Sequence, residues 1–274
     1  MRAVPLGARL LGACAVVVAA VSLGGCTGHR PSSLPSPRTT APPSAVITVP
    51  TTAPTPTTTV PPTAVPPTTA VPPTTTTTVP SIGRGSTGAA VAAIQQRLLA
   101  LHYWLDTPTG TFGDTTEQAV YAIQKAAGIS RDGLVGPQTE TALARGVVPT
   151  PQYMAGYVIE VDLADDLLMI VTNGNLLWTL NTSTGGGYVF TTNQLAITPT
   201  GVYQIYREVD GLVVDNLGSL WRPKYFDSGI AIHGETDVPP YPVSHGCVRV
   251  SIAAIDWIWT TNVVPLGTTV WVFT

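Results

Sequence analysis

Ile230-Ala231-Ile232-His233-Gly234 and, separated from the histidine by ten residues, Ser244-His245-Gly246-Cys247-Val248-Arg249 are the stretches on which the reading of this chain turns. The first reads as the end of a strand. The segment between them contains Pro239, Pro240 and Pro242, which cannot donate to a sheet ladder, so it reads as an irregular loop. A loop of that length folds His233 back against Cys247. A free thiol has a pKa of about 8.5 and is only a few per cent thiolate at neutral pH, so a cysteine nucleophile needs a base beside it. An imidazole held in one tautomer by a hydrogen bond to its second nitrogen is such a base. Gly246 lets the backbone turn sharply at the thiol, where amide N–H groups can face a developing oxyanion. Arg249 offers a fork for a substrate carboxylate. Other readings use the same residues. Cys247 could be an inert buried thiol. His233, His245 and Cys247 could bind a metal, although no fourth ligand declares itself. Ser244 could be a serine nucleophile, although no Gly-x-Ser-x-Gly surrounds it.

Working outward, residues 153–274 carry a strand pattern. Tyr157–Asp162 alternates. Leu167–Thr172 and Leu176–Thr182 flank Asn173-Gly174-Asn175, a hairpin signature. Gly201–Tyr206, Gly229–His233 and Thr268–Phe273 read as further strands, and Ser251–Thr261 as a single helix with Ile252, Ile255, Ile258 and Trp259 on its apolar side. Strands, one helix and frequent glycine turns predict a β-sandwich.

Residues 83–146 change to helical spacing. Val91, Ile94, Leu98 and Leu101 mark a helix over Ala89–Leu101, Ala119, Val120, Ile123 and Ala127 a second over Thr115–Ala127, and Pro137–Arg145 a short third. Asp114 or Thr115 suits an N-cap, and Pro137 a first helical position. The fold class expected is therefore a small three-helix module followed by a β-sandwich with one helix.

Before the helices, residues 27–80 are dominated by proline and threonine, with Val60-Pro-Pro-Thr, Val65-Pro-Pro-Thr and Val71-Pro-Pro-Thr as imperfect repeats. Such a composition builds no core and favours extended polyproline II, which at about 3.1 Å per residue reaches on the order of 150 Å. It reads as a stalk, with threonines open to O-glycosylation. Residues 1–26 combine Arg2 and Arg9 with the apolar run Leu10–Leu23, the pattern of an export signal and short for a membrane span. The chain has three cysteines, Cys14, Cys26 and Cys247. Two sit in or beside the signal, so Cys247 has no partner for a disulfide in the folded part. The net charge is −3, with 11% charged residues and no basic stripe, which excludes nucleic acid as an expected partner.

Three resemblances rest on these residues. Leu23-Gly24-Gly25-Cys26 resembles a bacterial lipoprotein signal, which implies lipidation of Cys26 and a tether to the outer face of the cytoplasmic membrane. An ordinary secreted protein is the alternative. The module from Gly85 to Gly146, with Gln95-Gln96-Arg97-Leu98, Gly110-Thr111-Phe112-Gly113, Ala122-Ile123-Gln124-Lys125 and Asp132-Gly133-Leu134-Val135-Gly136-Pro137, resembles a peptidoglycan-binding domain. That implies wall attachment, with exposed groups such as Tyr103, Trp104 and Asp106 as candidate contacts and His102 as a helix-end residue.

Residues 157–273, above all His233-Gly234 and Ser244-His245-Gly246-Cys247-Val248-Arg249, resemble the L,D-transpeptidase (YkuD-like) catalytic domain. The resemblance implies Cys247 as the acylated nucleophile and His233 as its base, oriented by the Gly234 carbonyl. It implies an oxyanion hole of amides around Gly246 and Cys247, a pocket shaped by Ser244 and His245, and substrate contact from Arg249. Peptidoglycan stem peptides would be donor and acceptor, joined as 3–3 cross-links without metal or cofactor, and carbapenem-type β-lactams would acylate Cys247. Water or a protein amine as acceptor would give a carboxypeptidase or an anchoring enzyme from the same intermediate. A non-catalytic wall-binding lipoprotein is the expectation of another class.

Overall fold

The structure is a computed structural model, and it describes residues 81–191 and 193–274. The segments expected to be an export signal with Cys26 and a stalk lie outside the described residues.

The three helices form where the spacing places them: α1 Ala89–Ala100, α2 Asp114–Ala126 and α3 Pro137–Arg145. Their apolar faces meet in a core of Val91, Leu98, Phe112, Val120, Ile123 and Leu143. The N-cap of α2 is Gly113, not Asp114 or Thr115. Asp114 is instead the first helical residue, where its carboxylate favours the positive end of the helix and pairs with Arg84. Pro137 opens α3, and Gly146 closes it at φ 69, a left-handed conformation that suits glycine.

Twelve strands follow, with one helix among them: β1 Tyr157–Asp162, β2 Leu167–Thr172, β3 Asn175–Asn181, β4 Val189–Thr191, β5 Gln194–Leu195, β6 Gly201–Gln204, β7 Arg207–Glu208, β8 Leu212–Asp215, β9 Gly218–Asp227, β10 Ile230–Glu235, β11 Val248–Ser251, α4 Ile252–Thr261 and β12 Thr269–Phe273. The predicted hairpin is present. Thr172 pairs with Asn175 across Asn173 and Gly174, whose φ values of 48° and 75° give the turn the hand of strand twist. One five-stranded sheet has the order β3-β2-β1-β12-β6; a second runs β11-β10-β9-β7, with β8 also paired to β9; and β4 and β5 pair as a separate two-stranded ribbon. Between the first two sheets lies the main core of Ile159, Val161, Leu168, Ile170, Ile232, Val248, Val250, Val270 and Val272, closed by Ile255 and Ile258 of α4. Each fully buried side chain of this kind contributes roughly 1.5–3 kcal/mol. Ser251 caps α4 by accepting from the Ala254 amide at 3.2 Å. The architecture is the predicted helical module followed by a β-sandwich with one helix.

The two modules are packed together. Leu167 of β2 is buried in the helical core. The Trp104 amide donates to the Thr179 carbonyl at 2.9 Å, and the Thr179 amide to the His102 carbonyl at 2.7 Å. His102 sits in the left-handed region at φ 64, its Nδ1 3.1 Å from the Leu177 carbonyl. This packing corrects one expectation. Tyr103 and Trp104 are not exposed: they retain 0% and 6% of their surface. The Tyr103 hydroxyl donates to the Val147 carbonyl, and Trp104 packs on Trp257 of α4 with ring centroids 5.4 Å apart. Of the three suggested contacts only Asp106 is exposed.

Candidate active site

Strand pleating explains which side chains converge. Side chains alternate between faces, and Ile232 of β10 enters the core, so Ala231, His233 and Glu235 share the other face. Strand β11 runs parallel beside β10, with Ile232 opposite Val248 and His233 opposite Arg249. Val248 and Val250 also enter the core, which leaves Arg249, and Cys247 just before the strand, on the face of His233. The loop over 236–243 makes the parallel return possible. A cavity of about 300 Å³ opens on this face. Its walls include His233, Glu235, Ser244, His245, Gly246, Cys247 and Arg249.

His233 is 3% exposed, and its Nδ1 lies 3.0 Å from the Gly234 carbonyl. A carbonyl can only accept, so Nδ1 carries the hydrogen and Nε2 keeps a lone pair. Burial lowers the imidazole from its ordinary range, against the Gly234 bond and Glu235, which favour the charged form. A side chain at Gly234 would meet α4, since a Cβ there would stand 2.5 Å from Ile255 Cγ2.

The Cys247 thiol is free and partly exposed. It lies against Leu220, Tyr225 and Ala231, and its sulfur is 3.9 Å from the Gly229 carbonyl. Burial raises its pKa, while the Ala231 amide and Arg249 pull the other way. Both shifts favour the uncharged forms, imidazole and thiol. Among the described residues no hydrogen bond joins them; they meet as walls of one cavity.

Ser244 is buried and locks the turn that presents the thiol. Its hydroxyl accepts from the Gly246 amide at 3.0 Å and donates to the Cys247 carbonyl at 2.6 Å. Gly246 has φ 141, and a Cβ there would stand 2.6 Å from the Ile197 carbonyl oxygen. Both facts demand glycine. Because its amide is committed to Ser244, Gly246 is not an available oxyanion donor, which narrows the sequence expectation. His245 stacks edge-on against Phe190 and Tyr188, with centroids 4.9 and 5.7 Å away. The Arg249 guanidinium makes no ion pair among the described residues, and its buried Nε has no partner. Three His, Cys, Asp or Glu side chains converge as metal ligands nowhere among the described residues, so His233, His245 and Cys247 do not form the cluster a metal site needs.

Sequence reasoning missed one wall. The β8–β9 hairpin brings Asp215, Leu217, Gly218, Ser219 and Leu220 to the cavity. Leu212-Val213-Val214-Asp215-Asn216-Leu217-Gly218 carried a turn signal, an apolar run into Asp215-Asn216 with Gly218 closing the loop, and the Asp215 carboxylate accepts from the Leu217 amide at 2.8 Å.

Comparison with known proteins agrees with this geometry. The family model for the YkuD L,D-transpeptidase catalytic domain matches residues 156–272, and one for a peptidoglycan binding domain matches residues 87–143. The crystal structure of an L,D-transpeptidase from Xylanimonas cellulosilytica is 45% identical, with a TM-score of 0.68, over 70% of this chain and 97% of that one. The helical module has a separate kinship. The N-acetylmuramoyl-L-alanine amidase CwlL of Bacillus licheniformis is 46% identical over 63 residues, 22% of this chain, and the match spans only 18% of the amidase. The chain belongs to the L,D-transpeptidase family, its YkuD catalytic domain preceded by a peptidoglycan-binding domain.

Proposed function

We propose that the protein forms 3–3 cross-links in peptidoglycan through an acyl-enzyme on Cys247. The observation that carries this reading is the convergence of a buried His233 with its Nδ1 held by the Gly234 carbonyl, a partly exposed Cys247 and an Arg249 without an ion-pair partner among the described residues in one cavity. His233 Nε2 takes the thiol proton as sulfur attacks the carbonyl of the third residue of a tetrapeptide stem. The bond to the terminal D-alanine breaks, and His233 returns the proton to the departing amine. The side-chain amine of a second stem then attacks the thioester, and the thiol is regenerated. The Gly234 carbonyl holds the imidazole tautomer throughout. The Cys247 and His245 amides are the oxyanion donors we infer, since the Gly246 amide serves the turn. Arg249 pairs with a substrate carboxylate, and carbapenem-type β-lactams acylate the same sulfur.

We further infer that residues 1–26 direct export, that Cys26 carries a lipid anchor to the cytoplasmic membrane, that residues 27–80 are a spacer, and that the 83–146 module holds the 153–274 catalytic domain at the wall. Cys26→Ser should move the protein from the membrane to the soluble fraction; unchanged membrane association contradicts the anchor. For the reaction, purified protein is incubated with a tetrapeptide stem. Release of D-alanine with a cross-linked dimer, both lost in Cys247→Ala, is the expected result. A dimer still formed by that variant contradicts the assignment.

A further inference from the structure

The strongest feature that this mechanism leaves unused lies between the modules. Lys125 of α2, in the helical module, has 0% of its side chain exposed. A buried ammonium is costly unless its hydrogens are all engaged. Here they are engaged by the catalytic domain. Nζ donates to the Asp166 and Thr182 carbonyls, each at 2.8 Å, and stands 3.5 Å from Asp166 Oδ2. Asp166 is in the left-handed region at φ 56 in the turn between β1 and β2. Its other carboxylate oxygen accepts from the Thr184 amide at 3.0 Å and the Thr184 hydroxyl at 2.7 Å.

The segment that Lys125 and Asp166 hold, residues 182–184, in turn holds both ends of the nucleophile loop. The Thr184 carbonyl accepts from the Ser244 amide at 2.9 Å. Ser183 exchanges backbone bonds with Arg249 at 3.0 and 3.2 Å, and the Thr182 hydroxyl donates to the Arg249 carbonyl at 2.7 Å. The helical module also grips the loop between His233 and Cys247. Gln118 of α2 donates to the Val238 carbonyl at 3.1 Å, and Arg131 to the Pro240 carbonyl at 3.3 Å.

We propose that Lys125 is a positioning residue for the Cys247 site, and that the peptidoglycan-binding module is thereby part of the scaffold of that site rather than only a wall anchor. The proposal rests on the reading of Cys247 as the acylated nucleophile. Lys125 touches no cavity residue; it acts through Asp166, Thr182 and Thr184 on Ser244 and Arg249. Small displacements of a reacting atom cost about a hundredfold in rate, so a strap loosened at one end is felt at the thiol.

The test uses the full chain and a carbapenem as probe, in Lys125→Met, Asp166→Asn and the double variant, with Arg84→Ala as a surface control in the same module. Acylation is followed by intact mass at a temperature where near-ultraviolet circular dichroism shows each protein folded. Lys125→Met should lower the saturating acylation rate roughly 10- to 100-fold with little change in half-saturating concentration. Asp166→Asn should add little on that background, because both act through one strap. Arg84→Ala should match the wild type. Amide hydrogen exchange over 244–251 should be faster in Lys125→Met. Should Lys125→Met not fold, Thr184→Val, which removes only the hydroxyl bond to Asp166, should still slow acylation several-fold. Folded variants with wild-type acylation and exchange overturn the proposal. A wild-type chain that forms no adduct overturns the reading of Cys247 instead, and exchange then decides the positioning claim alone.

Discussion

Ser244 and Cys247 are tied across a four-residue turn: the serine hydroxyl donates to the cysteine carbonyl at 2.6 Å while accepting from the Gly246 amide between them. The serine of the Ser-His-Gly-Cys motif is thus a backbone clamp, and its hydroxyl is not free for chemistry. Ser244→Ala should leave the global fold in place and lower Cys247 acylation about 10- to 100-fold, because the turn relaxes and moves the sulfur. Stopped-flow or mass-resolved acylation rates check this. A rate equal to wild type would show that the turn holds without the clamp.

Gly246→Ala should be far worse. The residue has φ 141, and a Cβ would stand 2.6 Å from a backbone oxygen that has no flexible side chain to yield. At Gly234 the obstacle is side chain rather than backbone, the Cγ2 methyl of buried Ile255 at 2.5 Å with Trp221 and Ile252 beside it, and the backbone there is ordinary strand. We expect Gly246→Ala to abolish acylation and lower the melting temperature, and Gly234→Ala to retain measurable activity. The reverse order contradicts the account.

The pH dependence follows from burial. Cys247 is raised and His233 lowered, so the resting pair at neutral pH is thiol and imidazole, not thiolate and imidazolium. Alkylation of Cys247 by iodoacetamide should therefore rise with pH through and beyond the ordinary thiol range. The acid limb of acylation should lie below the ordinary histidine range, because the base stays unprotonated to lower pH. Alkylation already at its plateau in mild acid would mean a preformed ion pair.

Arg249 faces the cavity without an ion-pair partner among the described residues. Arg249→Ala should raise KM for the stem peptide roughly 10-fold or more, with a smaller effect on alkylation by iodoacetamide, which has no carboxylate. Arg249→Lys should recover part of the affinity. An unchanged KM in Arg249→Ala would remove the residue from substrate recognition.

What the sequence made legible was whatever is local. Asn173-Gly174 announced its hairpin because a two-residue turn needs two positive φ values. Helical spacing located α1 to α3 within a residue or so, and the approach of His233 to Cys247 followed from a strand and a proline-rich loop in one short stretch, although strand β11 beyond the cysteine was not foreseen. What stayed hidden depends on distant partners. Tyr103 and Trp104 looked like surface aromatics because nothing nearby in sequence reveals Val147 or Trp257 above them. Lys125 stood out only as the end of the Ala122-Ile123-Gln124-Lys125 motif, because its acceptors lie 41 and 57 residues away. The bond from the Gly246 amide to the Ser244 hydroxyl was likewise hidden, because a side-chain acceptor two residues away leaves no trace in the motif. The β8–β9 wall was readable from its turn residues but was not singled out.

Every step of the proposed reaction depends on acylation at Cys247. Intact-mass spectrometry of the wild-type protein and of Cys247→Ala, each shown folded and incubated with a carbapenem, tests it most directly. One adduct per wild-type chain, mapped by peptide digestion to Cys247, and none on the variant is the expected result. An unchanged wild-type mass, or an adduct that survives in Cys247→Ala, would contradict it.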